Sequence, residues 1–101
     1  MKTYEDRMVD VDNVLALVRA EIERAVKKHG PMHSPHEGYA VIKEEVDELW
    51  DDVKRDLGRT DGALTEAMQI AAMGVRYVCD LAPGRRPPTG MSQDTLRQLL
   101  A

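Results

Sequence analysis

The stretch IKEEVDELWDD, residues 42–52, decides the fold because six carboxylates share it with apolar residues at helical spacing. Together with its surroundings it forms one apolar stripe: Tyr39, Ile42, Val46, Leu49, Trp50, Val53 and Leu57. At about 100° per residue, the acids divide into Glu45, Glu48 and Asp52 on one edge of the stripe and Glu44, Asp47 and Asp51 on its far side. The far group suits exposure to water. The near group is either a solvated surface or a set of acids that converge on a cation.

Capping signals place this stretch on the second of three predicted helices. Ser34 is a good N-cap, Pro35 suits the first turn, and Glu37 completes a capping box. The helix is predicted to run to about Leu57 and to end at Gly58, which suits a helix stop.

A third helix is predicted to follow after a loop of only about four residues. Thr60 or Asp61 caps it, and it ends before Pro83. The residues of this helix are apolar on nearly all of its sides, which indicates burial on several sides. The exception is one polar line: Glu66, Gln69, Arg76 and Asp80. The short loop predicts an antiparallel hairpin that brings Glu66 and Gln69 within about one turn of the acids on the second helix.

A first helix precedes this hairpin, starting at Thr3 or at Asp10 and ending at His29. Its apolar residues alternate steps of four and three, as in a packing seam: Tyr4, Met8, Val11, Leu15, Val18, Ile22 and Ala25. Gly30 suits a left-handed cap, and Pro31 prevents the helix from continuing. The sequence therefore predicts an all-α fold, an antiparallel helical hairpin plus an N-terminal helix.

The third helix needs cover on more than one side, which three helices alone do not provide. Pairing copies of the chain would bury the remaining apolar surface, so we expect a four-helix-type bundle completed by oligomerisation into a dimer or tetramer. Residues 1–82 are predicted to form this helical domain. Residues 83–101 are predicted to form a linker rich in Pro, Gly and Arg, and a short C-terminal helix or tail.

Composition excludes several classes of protein. A net charge of −4 argues against binding duplex nucleic acid, because phosphate binding needs a basic surface. No apolar run approaches the roughly 20 residues that cross a bilayer, so no membrane partner is expected. Cys79 is the only cysteine, which excludes an internal disulfide and suits a reducing cytoplasm.

Clustered carboxylates repel one another unless a cation joins them, and hard oxygen ligands suit Mg²⁺ or Mn²⁺. Zinc is less suited, because neither Cys nor His lies near these acids in the sequence. The residues alone leave a plain solvated face open as well. On that interpretation, Arg76 and Asp80 are an ordinary pair one helical turn apart on the wet side of the third helix.

Two short motifs add a resemblance to a known family. EEVDE at 44–48, followed by EAMQ at 66–69, resembles the EExxE…ExxD signature of MazG-like proteins. These belong to the all-α nucleoside triphosphate pyrophosphohydrolase superfamily. The wider context over about residues 30–82 is similar to its small phage and prophage branch. The resemblance implies hydrolysis of a (d)NTP to a nucleoside monophosphate and pyrophosphate.

The same resemblance implies roles for individual residues. Glu45, Glu48 and Glu66 would be metal ligands for Mg²⁺ (or Mn²⁺), with Gln69 at the fourth position. Glu44 would be the catalytic residue that orients or activates the attacking water. Gln69 departs from the pattern, because relatives have Asp there, and the change removes one charge and one anionic ligand.

Three further residues are predicted to bind the nucleoside triphosphate substrate. Arg76 stands where relatives often place a base-contacting Asn, and an arginine suits phosphate or developing charge. Asp52 belongs to the acids on the near edge of the stripe. Trp50 is expected in the core, or at the wall of a base pocket in an oligomer.

Gln69 also leaves the function open at this point. The site is either an enzyme with weakened or altered activity, or it binds metal and nucleotide without hydrolysis. The alternative function is a non-catalytic MazG-like helical oligomer that acts as a nucleotide-sensing or protein-interaction module. A plain structural bundle without a ligand is a third interpretation.

Overall fold

The computed structural model describes residues 1–82 together with Asp94, Arg97 and Gln98. Over this part of the chain the fold is all-α, with three helices and no strand: α1 Tyr4–Lys28, α2 Pro35–Lys54 and α3 Asp61–Leu81. The linker and C-terminal helix predicted for residues 83–101 lie outside the described residues, except for Asp94, Arg97 and Gln98. Within residues 1–82, none of the helices combines the length and apolar content needed to cross a bilayer.

Each helix begins at a side-chain cap. Thr3 and Asp6 form a reciprocal capping box, in which each side chain accepts the backbone N–H of the other residue. This cap starts α1 at Tyr4 and settles the choice between Thr3 and Asp10. The Oγ of Ser34 accepts the N–H of Glu37 at 3.1 Å, and the Oγ1 of Thr60 caps α3 in the same way.

Two predicted details around the first connection are wrong. The Glu37 carboxylate does not complete a capping box, because it accepts the N–H of His33 at 3.0 Å and also contacts the His33 ring. Gly30 is not a left-handed cap. The C-cap of α1 is His29 in extended conformation, and its N–H donates to the carbonyl of Ala25 at 2.8 Å.

The end of α2 also differs from the prediction. The helix stops at Lys54 instead of Leu57, because Asp56 adopts a left-handed conformation with φ 59°. The N–H of Leu57 then donates to the carbonyl of Asp52 at 2.8 Å, which closes the turn. An aspartate tolerates this backbone better than most residues, so the reversal does not need Gly58. The connection to α3 spans residues 55–60.

The central helix is α3. It packs against both α1 and α2, whereas no Cα atom of α1 lies within 8 Å of one of α2. Gly38 near the start of α2 lies against Tyr77 near the end of α3, and Asp52 near the end of α2 lies beside Glu66. The hairpin is therefore antiparallel, as predicted. A Cβ at Gly38 would lie 2.6 Å from the Tyr77 ring, so this close approach requires glycine.

The core fills the space where the three helices meet. Its buried residues are Val18, Ala25, Met32, Ala72 and Met73, surrounded by Ile22, Val41, Ile42, Met68, Tyr77 and Leu81. Small residues on α1 and α3 let the two helices approach closely. Ala72 is fully buried, and Ala25 is almost so.

Only half of the predicted α1 seam is covered within the described chain. Glu21 lies near Gln69 and Gly30 near Arg76, so α1 runs alongside α3 in the same direction. The first turns of α1 therefore extend past the start of α3. Residues 1–17 are all exposed, including the seam residues Tyr4, Met8, Val11 and Leu15.

Apolar residues are exposed on the hairpin as well. On α2 and the turn after it, five residues of the predicted buried stripe are exposed: Tyr39, Val46, Trp50, Val53 and Leu57. On α3, an exposed side remains that neither α1 nor α2 covers in the described chain: Leu64, Ala67, Ala71, Val75 and Val78. These five residues recur every three or four positions, and we refer to them as the open flank.

Candidate active site

Four of the predicted acids come together across the hairpin. Glu45, Glu48 and Asp52 of α2 lie on the side that faces α3, where each is close enough to Glu66 to interact with its carboxyl group. We refer to these four residues as the acidic cluster. The acids predicted for the far side of α2, namely Glu44, Asp47 and Asp51, are exposed.

Burial makes the acidic cluster unfavourable when it is fully ionised. Burial raises the pKa of Glu45, and the negative charges of Glu48 and Glu44 raise it further. Burial likewise raises the pKa of Glu66, with a hydrogen bond to Asp52 as the next cause. The Glu66 carboxyl group is therefore easier to protonate than an ordinary glutamate.

Two oxygens of the cluster lack any donor. The Oε2 atoms of Glu45 and Glu66 are buried and have no hydrogen-bond partner among the described residues. A buried acceptor that is left unpaired costs about 1–3 kcal/mol, so native structures rarely leave one without a function. Carboxylate oxygens without a hydrogen-bond donor, such as these two, are suitable ligands for a hard cation such as Mg²⁺.

Within the described residues, no three Asp, Glu, His or Cys side chains converge to hold a metal ion. Asp52 has a partner that the sequence did not predict, because Nη2 of Arg55 donates to its Oδ1 at 2.8 Å. The donor atoms therefore suit a cation, and a cation would have to draw the side chains closer together.

A cavity of about 390 Å³ adjoins the cluster at Glu45. The C-terminal half of α1 forms one wall, α2 forms the other, and α3 forms the floor. The polar side chains that line it include Glu21, Arg24, Glu37, Glu45, Gln69 and Arg76. Ala25, Val41 and Met73 add apolar surface. The size and the mixed lining suit a small organic ligand with a charged end.

Arg76 lies in this cavity, but it also has a structural role. The residue is only 7% exposed, and its Nη2 donates to the carbonyl of Gly30 at 3.0 Å. Its Nε is buried without a partner in the described chain. Asp80 does not pair with Arg76, because its Oδ2 accepts the N–H of Met32 at 3.0 Å. The interpretation of a wet face with an Arg76–Asp80 pair is therefore wrong. Both side chains fasten the connection between α1 and α2.

Trp50 lies outside both the cavity and the core. The residue is 56% exposed, and the Nζ of Lys54 lies 5.9 Å from the centroid of its ring. The predicted core position of Trp50 is wrong. The adjacent side of α2, which includes the half-buried Leu49, is the side that faces α3. A role in a base pocket would require a second copy of the chain.

Glu21 is one of the cavity residues that the sequence-based prediction of the site missed. Glu21 of α1 is half-buried, and both Nε and Nη2 of Arg24 donate to its carboxylate. These bonds hold the pKa of Glu21 below its ordinary value, and the nearby side-chain amide of Gln69 adds to the effect. Its position beside Val18 and Ile22, at the edge of the α1 seam, was the available signal.

Comparison of the chain with models of known protein families, with curated proteins and with solved structures finds no significant match. The functional conclusion therefore depends on the acidic cluster, the adjoining cavity and the motif resemblance.

Proposed function

We propose that this chain is a MazG-like nucleoside triphosphate pyrophosphohydrolase that uses Mg²⁺, or Mn²⁺ in its place. The observation that carries the proposal is a pair of buried oxygens, one on Glu45 and one on Glu66, that have no hydrogen-bond partner among the described residues. They belong to an acidic cluster whose Glu45 lines the cavity. The EEVDE and EAMQ motifs support it, because Glu45 and Glu48 of the first motif lie close enough to Glu66 of the second for their charges to interact.

The residues that would hold the cation are Glu45, Glu48 and Glu66, with the side-chain carbonyl of Gln69 as a neutral fourth ligand. A carbonyl oxygen is an acceptable ligand for a hard cation, although it provides no charge. When bound, Mg²⁺ supplies positive charge that offsets part of the triphosphate's negative charge.

The catalytic step is attack of water on phosphorus, with cleavage of the bridging P–O bond between the α- and β-phosphates. Glu44 is exposed and adjoins Glu45 in the chain, close enough for its negative charge to raise the pKa of Glu45. From there its carboxylate accepts a hydrogen bond from the attacking water and takes up its proton.

The cavity would hold the nucleoside. Ala25, Val41 and Met73 offer apolar surface to a base, and the buried Nε of Arg76, which has no partner among the described residues, offers a donor. Asp52 contributes to substrate binding through the acidic cluster. Trp50 would contribute only across an interface with another copy.

We also propose that copies of the chain complete a four-helix-type bundle, as a dimer or tetramer. The open flank, the exposed α2 residues and the first turns of α1 together expose far more apolar surface than scattered single residues would. Twofold pairing is the commonest way to cover such surface.

The activity is tested with a panel of NTPs and dNTPs and Mg²⁺ or Mn²⁺, by measuring pyrophosphate release. Cys79 is exposed and is the chain's only cysteine, so a reductant in the buffer matches the cytoplasm that we propose as its compartment. We expect turnover of at least one nucleotide. Glu48→Ala should abolish release, whereas Asp51→Asn, on the exposed side of the same helix, should preserve it. Absence of turnover with every nucleotide would exclude the enzyme.

A second candidate is a non-catalytic, nucleotide-sensing or protein-interaction module. Gln69 favours it by removing one charge, and so does the finding that no three acids converge among the described residues. For this module, nucleotide with Mg²⁺ would raise the melting temperature while no pyrophosphate appeared.

A further inference from the structure

Arg76 is a buried cation whose hydrogen bonds go to uncharged groups. The residue is only 7% exposed, and its Nε has no hydrogen-bond partner among the described residues. Its Nη2 donates to the carbonyl of Gly30 at 3.0 Å, and its Nη1 donates to the sulfur of Met73 at 3.4 Å. Neither acceptor carries a charge, so these contacts do not neutralise the guanidinium.

Carboxylates near Arg76 do not neutralise it either. Asp80 and Glu37 each line a cavity together with Arg76. The Asp80 carboxylate accepts the N–H of Met32, and the Glu37 carboxylate accepts the N–H of His33. Within the described chain, neither forms an ion pair with Arg76. Because a buried charge without an opposite charge is costly, an anion from outside the chain would stabilise this arrangement.

Two cavities give such an anion room beside Arg76. The residue lines the main cavity of about 390 Å³ and a smaller one of about 250 Å³ at the end of α1. Gly30 and Pro31 of the first connection line both of them. Since Nη2 alone holds the Gly30 carbonyl, Nε can accept a new partner without breaking that contact.

A triphosphate held at the acidic cluster would not supply this anion. Glu66 and Arg76 both lie on α3, and their separation in sequence corresponds to about 15 Å along the helix axis at 1.5 Å per residue. The bond to Gly30 also holds the guanidinium at the first connection, at the end of α1. The phosphates of a nucleotide bound to a cation at the cluster therefore leave the charge of Arg76 unpaired.

We propose that Arg76 forms a second subsite, separate from the cation site, which binds a phosphate-type oxyanion through Nε. A phosphate oxygen accepts the N–H and also offsets the buried charge, whereas a water molecule or a neutral base oxygen supplies only the hydrogen bond. The subsite does not require the proposed function. If that function holds, free phosphate competes for the end of the cavity that the nucleoside would occupy.

The first test uses wild-type protein free of divalent metal. Sodium phosphate is added at neutral pH and constant ionic strength, and the Nε–H cross-peak of Arg76, assigned through bonds from its backbone, is followed by ¹H–¹⁵N NMR. We expect a saturable shift. The Nε–H of Arg59, which is exposed, is the internal control and should not move. An unmoved Arg76 cross-peak, or the same shift with sodium chloride, would overturn the proposal and leave water as the partner of Nε.

The second test measures the affinity for inorganic phosphate by isothermal titration calorimetry. Arg76→Lys keeps a positive charge but removes Nε–H and the planar fork that matches an oxyanion, so we expect phosphate binding to weaken about tenfold. Arg59→Lys should stay within about twofold of wild type, in line with its exposed position. Equal affinities of Arg76→Lys and wild type would overturn the subsite, and a thermal melt without phosphate checks that the variant is folded.

The two tests separate this inference from the proposed function. Phosphate binding at Arg76 by a protein that turns over no nucleotide would keep the subsite and reject the enzyme. Nucleotide turnover by a protein whose Arg76 cross-peak does not respond to phosphate would reject the subsite alone.

Discussion

The two sides of α3 differ in how completely the chain covers them. On the side of the cavity, Arg76 and Asp80 find partners in the first connection, at Gly30 and Met32. On the open flank, apolar side chains such as Val75 and Val78 remain about half exposed. One side is thus organised around polar contacts within the chain. The other lacks an apolar partner in the described residues.

This difference separates two properties of the molecule. The polar contacts on the cavity side shape a cavity within a single chain. The open flank has the composition of an interior but lies on a surface, which is typical of a protein that associates. The two sides should therefore respond differently to substitution, and four predictions test this.

The largest effect is expected on the open flank. If a second copy covers this flank, Val75→Asp would bury an unpaired charge, at a cost on the order of 3 kcal/mol or more. Sedimentation velocity should then show the variant as a monomer at concentrations where wild-type protein is associated. Val9→Asp is the matched control, because Val9 is exposed on the side of α1 away from its seam. A variant that associates like wild type would mean that the open flank is not an interface.

The next largest effect is expected at Arg76. Arg76→Met keeps most of the apolar length but leaves the Gly30 carbonyl without its donor, which should cost about 1–3 kcal/mol in the free energy of unfolding. Urea denaturation would measure the change. Arg59→Met, at an exposed position, should stay within about 0.5 kcal/mol of wild type. Equal stabilities of the two variants would contradict the fastening role of Arg76.

A smaller effect concerns pH. The pKa values of Glu45 and Glu66 are raised in the folded protein, so ionisation of these groups opposes folding at neutral pH. As the pH falls from neutral through the raised pKa values, protonation relieves this cost, and the melting temperature of metal-free protein should rise until the pH approaches the ordinary glutamate pKa.

Two other acids change the stability of the folded protein in the opposite direction, but at lower pH. The pKa values of Glu21 and Glu37 are lowered on folding, so the stability they contribute is lost only below the ordinary carboxyl range. The control for the pH effect is the Glu45→Gln, Glu66→Gln double variant, in which the rise should disappear. Its persistence in the double variant would assign the effect to other groups.

The smallest effect is expected at Gly30. Its backbone is not left-handed, and a Cβ there would meet no atom within 4 Å. Gly30→Ala should therefore stabilise the protein by about 0.4–1 kcal/mol through the unfolded state. Gly38→Ala, by contrast, should destabilise by about 1–3 kcal/mol, because the new Cβ would meet Tyr77. Destabilisation by Gly30→Ala would instead support the left-handed cap that the sequence predicted at Gly30.

Local features were largely predictable from the sequence. Ser34 and Thr60 cap their helices as expected, because a hydroxyl beside the first turn satisfies a free N–H whatever the rest of the chain does. The grouping of Glu45, Glu48, Asp52 and Glu66 was also predictable, since a short connection between two helices sets the register of the hairpin.

Features that depend on distant residues were not predictable in this way. Arg76 and Asp80 looked like neighbours on one helix, yet their partners lie 46 and 48 positions away. Glu21 belongs to no motif, and only the placement of α1 on α3 brings it to Gln69. Periodicity likewise showed which side of each helix is apolar, but it did not show which part of that side the same chain covers.

The exposed position of Trp50 also makes it a built-in optical probe. It is the only tryptophan of the chain, so all indole fluorescence comes from one solvent-facing site on α2. Burial of that indole against another molecule would shift its emission to shorter wavelength. A dilution series read in a fluorimeter would therefore follow assembly without any attached dye.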